Sequence, residues 1–208
     1  MKTTLLSITM TIILFFACDT YAQNVKHKYS SKGTWEFGGD IFFTSTTTDF
    51  TDDYPGHQLN ETYTETDFAI NGEAGYFIID GLKLGVEPGI ENVSSGSMIS
   101  YTQLRLYFTP EYVIKTKSIL YPYFGGAVGY TALSQEGASS SQTGFSWGAK
   151  LGLKINVAGN SLLDIGFRYY EEQYNATFQD HSYNPPVSYD VKNKIKPLGL
   201  SLGWSVFF

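Results

Sequence analysis

The sequence predicts an all-β fold, an eight-stranded antiparallel up-and-down transmembrane β-barrel. Three observations predict it. Apolar and polar residues alternate in eight separate segments, the period of a strand whose two faces meet different surroundings. The connections between segments are alternately short and long. The last segment puts Leu198, Leu200, Leu202, Trp204, Val206 and Phe208 on one face and Gly199, Ser201, Gly203 and Ser205 on the other. In water that strand would be an adhesive edge. In a closed barrel, one face meets acyl chains and the other a polar lumen.

Residues 1–22 read as a cleaved export signal. Lys2 supplies the positive start, Leu5 to Phe16 the apolar run, and Thr20-Tyr21-Ala22 the small residues of a cleavage site. The run is too short to span a bilayer as a helix. A lipobox ending at Cys18 is the rival reading, but Phe15 and Phe16 fit it poorly. Cleavage after Ala22 would remove the sole cysteine, and with it disulfides, thiolate ligands and a Cys nucleophile. A polar periplasmic leader is expected over 23–33 and the barrel over 34–208.

The first strand sets Trp35, Phe37, Ile41 and Phe43 against Glu36, Asp40 and Thr44. The second sets Phe68, Ile70, Ala74, Tyr76 and Ile78 against Asp67, Asn71 and Glu73. Asp80-Gly81 then signals a hairpin. The third opposes Leu82, Leu84, Val86 and Ile90 to Lys83, Glu87 and Glu91. The fourth opposes Leu104, Leu106, Phe108, Tyr112 and Ile114 to Gln103, Arg105, Tyr107 and Glu111. The fifth carries Phe124, Val128 and Tyr130 outside and Tyr121, Tyr123, Gly125 and Ala127 inside. The sixth has Phe145, Trp147, Leu151, Leu153 and Ile155 against Ser146, Lys150 and Lys154. The seventh has Leu163, Ile165, Phe167 and Tyr169 against Asp164, Arg168 and Tyr170.

Asp80-Gly81, Lys115 to Ser118 and Ala158 to Asn160 are short, as periplasmic turns should be. Thr46 to Thr62, Ser134 to Thr143 and Tyr174 to Asp190 are expected as long polar outer loops, with a short one at Val93 to Ser97. Pro88, Pro110 and Pro197 each remove a ladder donor, so bulges or strand ends are expected beside them.

Composition agrees with this class. The chain has 208 residues, net charge -6, and 21 Gly, 16 Tyr and 15 Phe. Acidic balance without a basic run argues against nucleic acid. Gly33-Thr34-Trp35 resembles the G-x-W of lipocalins, which are soluble eight-stranded barrels. Too many large rings (Trp35, Phe37, Phe108, Trp147, Phe167 and Trp204 among them) would then crowd a small barrel's interior. They suit aromatic girdles at the membrane interfaces.

The inward set is charged: Glu36, Asp40, Glu73, Lys83, Glu87, Arg105, Glu111, Lys150, Lys154, Asp164 and Arg168. A lumen of this size holds side chains and little else, so mutual pairing is expected, with Asp67 among the partners. A gated polar path is the alternative. No catalytic set is expected: His27 falls in the leader, His57 and His181 in outer loops, and none has a partner at a catalytic spacing. The acidic stretch Asp49, Asp52, Asp53 and Glu61 has oxygen ligands but no EF-hand spacing, so no metal or cofactor is assigned. Lys192, Lys194 and Lys196 share the outward parity just beyond a strand of about ten spanning residues. There they would face lipopolysaccharide phosphates.

The ending, with Ser201, Gly203, Val206 and Phe208 in the places of a C-terminal assembly signal, resembles that of bacterial outer-membrane barrels. The whole mature chain is similar to small barrels of the OmpX and OmpA-transmembrane type. The resemblance implies insertion into the Gram-negative outer membrane by the barrel-assembly machinery. Contact with outer-membrane lipid and lipopolysaccharide, an extracellular ligand at the loops and a monomeric state are expected with it. It also implies a role in envelope structure or surface recognition, a narrow porin-like channel being the alternative and lipid A modification a more distant one.

Overall fold

A computed structural model describes residues 29–54, 57–95, 99–135, 142–180 and 187–208. The signal segment, Cys18, His27 and His181 lie outside the described residues. The strands are β1 (Trp35–Tyr54), β2 (His57–Ile79), β3 (Leu82–Ser95), β4 (Ile99–Val113), β5 (Leu120–Gln135), β6 (Gln142–Ala158), β7 (Ser161–Asp180) and β8 (Val187–Phe207). Each pairs antiparallel with its chain neighbour, and β8 pairs with β1 to close the ring. Closure satisfies backbone groups that a bilayer could not hydrate. At the seam Trp35 N–H donates to Phe208 C=O over 2.8 Å, and Phe208 N–H returns a bond to Trp35 C=O over 3.1 Å.

The alternation sorts side chains as the two solvents demand. Phe43, Phe68, Ile70, Leu104, Leu106, Phe124, Leu151, Phe167 and Leu202 are among the large apolar side chains left exposed around the outside. Rings gather at the periplasmic rim, where Trp35 stacks on Phe37 at 5.8 Å and Phe37 on Phe208 at 5.7 Å. Val206 keeps the outward parity opposite Phe37, yet is buried, flanked by those stacked rings. On β1 the outward apolar run ends at Phe43 and on β8 it begins at Leu198, which marks the outer edge of the spanning part.

In two of the expected outer loops the described residues are strand instead. β1 and β2 stay paired from Trp35↔Tyr76 to Tyr54↔His57. β7 and β8 stay paired to Asp180↔Val187, and β8 follows β1 to Asp52↔Val191. Thr44, Thr46, Thr48, Thr62, Thr64 and Thr66 explain this: they are polar, yet β-branched residues favour the pleated backbone. The β2–β1–β8–β7 sheet therefore projects past the lipid edge. The ladder between β2 and β3 stops at Ala69↔Glu91.

The prolines do not produce the expected bulges. Pro88 pairs with Leu106 and Pro110 with Leu84 across β3 and β4, and Pro197 with Thr46 across β8 and β1. On its other side each interrupts the ladder without changing the register, as between Phe108↔Val128 and Glu111↔Gly125. Continuous pairing on one flank of each strand holds the register. The register shifts occur at the periplasmic ends, between Phe77 and Ile79 and between Asn156 and Ala158.

Candidate functional site

The candidate site is the lumen, and its side chains come from all eight strands. Nearest the periplasm, Lys83 on β3 meets Glu36 of β1 at 2.9 Å, Glu73 of β2 at 2.5 Å and Glu111 of β4 at 2.9 Å. Lys154 on β6 meets Glu36 at 2.8 Å and Asp164 of β7 at 2.7 Å. Lys150, two inward-facing positions along β6, reaches Glu111 at 3.2 Å and Glu87 at 3.3 Å. Glu87 thereby links to the next layer, where Arg168 of β7 bonds Glu87 at 2.6 Å and Asp40 at 2.7 Å. Asn71 donates a further bond to Asp40 at 2.9 Å. Nearest the outside, Arg105 of β4 pairs with Glu91 of β3 and, at 3.0 Å, with Glu172 of β7.

A ring layer separates the last two levels. Tyr107 stacks on Tyr170 with centroids 4.9 Å apart, and Phe42 meets Tyr170 edge-on at 5.8 Å. The hydroxyls point both ways: Tyr170 donates to Glu87 at 3.2 Å and Tyr107 to Glu172 at 3.0 Å. Glu172 also accepts from Tyr174 at 3.1 Å and from Gln103.

Small residues make the room. A Cβ on Gly203 would lie 2.8 Å from the Cβ of Asp40, and one on Gly166 would lie 2.5 Å from the Tyr123 hydroxyl. That hydroxyl donates to Asp164 at 2.8 Å, and Ser205 donates to Glu36 at 2.9 Å. Thus Gly203 and Ser205 have lumen work of their own, besides the sorting role that Ser201, Gly203, Val206 and Phe208 are expected to share.

The eleven charges named for the lumen are buried and ion-paired in this lattice, and Glu91, which shares the inward parity, joins them. The signs are not balanced. Among the described residues, Lys83, Arg105, Lys150, Lys154 and Arg168 face Glu36, Asp40, Glu73, Glu87, Glu91, Glu111, Asp164 and Glu172, three more carboxylates than cations. Asp67 sits higher on β2, and its Oδ2 makes no hydrogen bond.

Sequence reasoning missed Glu172, although it continues the inward parity of Asp164, Arg168 and Tyr170. It also missed the inward rings Phe42 and Phe207 and the role of Tyr29. Tyr29 precedes β1, enters the periplasmic mouth and is 1% exposed. It packs against Phe77, Tyr121 and Phe207 at 5.0–5.4 Å and donates to Glu36 at 3.0 Å. Gly81 N–H holds Ser30 C=O at 2.8 Å, and Lys32 N–H bonds Asp80 at 2.8 Å. Ser30 adopts φ 63°, a conformation no alternation pattern announces.

Outside the lumen, Lys196 pairs with Asp49 at 2.6 Å and Lys194 with Glu171 at 2.9 Å, both beyond the lipid edge, while Lys192 is exposed. The hydrogen bond from Lys196, joined by one from Thr62, holds the Asp49 carboxyl below its ordinary range. The bond from Lys194 does the same for Glu171. His57 lies in β2 opposite Tyr54, not in a loop.

The family model of the outer membrane protein beta-barrel domain matches residues 10–204. The chain belongs to that family. Its place is therefore the bacterial outer membrane. Neisserial surface protein A (NspA) shares the fold with a TM-score of 0.56 at 18% identity, covering 84% of this chain and 99% of that one. The outer membrane protein OprG from Pseudomonas aeruginosa gives 0.56 at 16% identity, covering 83% and 96%. No curated protein sequence matches this family member.

Proposed function

We propose that this protein is a non-conducting outer-membrane barrel that acts in envelope structure and surface recognition through its outer hairpins, without enzymatic activity. The ion-pair lattice carries the reading. It crosses the lumen from Glu36 to Glu172 in successive layers, and Tyr29 occupies the periplasmic mouth. Opening a path would require separating buried ion pairs, each of which leaves a charge uncompensated. The recognition surface then falls to the projecting β2–β1–β8–β7 sheet, where the described strands reach furthest from the lipid edge.

In this reading Ser201, Gly203, Val206 and Phe208 address the chain to the barrel-assembly machinery, the barrel is a monomer, and Lys192, Lys194 and Lys196 touch lipopolysaccharide. Lys194 and Lys196 would have to share their charge between the carboxylates they already hold and a phosphate.

The test is planar-bilayer recording of the purified, folded protein. No steady open-channel current is expected. A robust single-channel trace would replace this reading with the narrow porin-like channel. Comparing cell attachment with and without residues 47–64 tests the recognition half, and attachment that does not change would remove it. Retained lipopolysaccharide in the same preparation should fall when the three lysines become Gln, and lipid A should keep its acyl chains on expression.

A further inference from the structure

The projecting sheet has an unfinished edge. β2 pairs with β1 along its whole length, but its other side meets β3 only from Ala69 downward. Among the described residues, 57–68 have no partner on that side, while Asn92 to Ser95 of β3 pair with β4. A strand of that length spans about 40 Å and presents the N–H and C=O of every second residue. Nothing in 57–68 blocks addition of a strand: the segment contains no Pro and no Gly.

The chemistry of the edge is one-sided. Residues 45–68 carry Asp49, Asp52, Asp53, Glu61, Glu65 and Asp67, and no Lys or Arg. Asp49 is committed to Lys196, which leaves the acids of β2 nearest the open edge. Glu61, Glu65 and Asp67 share a face with Leu59 and Tyr63, large side chains that stand 38% and 47% exposed. Like charges would repel a second copy of the same edge, which guards the protein against self-pairing. An extended segment of opposite charge meets no such barrier.

We propose that residues 57–68 are a docking edge for an extended, lysine- or arginine-rich polypeptide, which adds to the sheet as a further strand. Main-chain bonds to β2 supply the register-independent part of the affinity. Glu61, Glu65 and Asp67 select the charge, and Leu59 and Tyr63 give apolar contact to alternate side chains. This rests on the recognition reading and names the partner class for the same surface.

The test uses the full barrel in phosphatidylcholine nanodiscs and a soluble peptide of alternating Thr and Lys, with alternating Thr and Glu as control. Amide exchange is followed residue by residue. The Thr-Lys peptide should slow exchange at alternate amides of 57–68 by about tenfold or more. Its binding should weaken with salt. The Glu61→Lys, Glu65→Lys double variant, checked for folding by heat-modifiable gel migration, should prefer the Thr-Glu peptide instead. Equal binding of the two peptides, binding that leaves 57–68 unprotected, or no binding overturns the proposal. If it fails while deletion of 47–64 still abolishes attachment, the edge idea alone falls. If that deletion changes nothing, the recognition reading falls with it.

Discussion

Lys83 shows at the scale of one residue what holds the lumen together. Its ammonium contacts three carboxylates at 2.5–2.9 Å, and its side chain is fully buried. An ammonium has three donors and no acceptor; two of them bond Glu36 and Glu73, while Glu111 is held as an ion pair without a hydrogen bond. Lys83→Met would keep most of the volume and leave Glu36, Glu73 and Glu111 short of a cation. The expected loss is about 3–5 kcal/mol, the cost of breaking a buried pair from one side. Urea unfolding in micelles would measure it, and adding Glu73→Gln should recover part of the loss. An unchanged midpoint for Lys83→Met would show that the lattice does not depend on its cations one by one. Alternation along β3 is enough to turn Lys83 inward. Which three carboxylates it meets depends on the register of β1, β2 and β4, and no local pattern contains that.

At the scale of the element, the outer hairpins differ from the loops that polarity predicts. Thr-rich alternation in 44–66 is a strand signal that a hydropathy reading discounts, because most side chains on both faces are polar. What fixes the extended sheet is pairing across strands, seen in Asp49 with Lys196 and Glu171 with Lys194. Asp49 is held below its ordinary value, so its contact stabilises the sheet above the unfolded carboxylate range near pH 4. That contribution disappears as pH falls through the lowered value. Amide exchange in residues 47–52 should therefore accelerate between pH 5 and pH 3, beyond the intrinsic trend, and Asp49→Asn should remove the extra step. Both partners are only half-buried and lie beyond the lipid edge, so the effect is local fraying and not barrel unfolding.

At the scale of the whole molecule, the two ends of the described chain meet at one place. Phe208 closes the backbone seam with Trp35 and stacks on Phe37 outside, while Phe207 turns inward onto Tyr29. Phe208 thus joins the closing ladder between β8 and β1 to the rim of rings. Removing Phe208 should lower the yield of heat-modifiable, outer-membrane-located barrel far more than shortening an outer hairpin does. Equal yields from the two truncations would count against the terminal residue as an assembly signal.

The sequence by itself determined the strand count, the inside and outside of each strand, the short periplasmic turns and the lipid-facing belt. These follow from a period of two acting between two solvents, and each can be read within one segment. Only the tertiary structure decided which charges pair, that Tyr29 enters the mouth and that β2 ends with one side open. Those facts depend on stagger between strands and on ring closure. They join residues as far apart as Asp40 and Arg168, which alternation assigns to the same interior but cannot assign to each other.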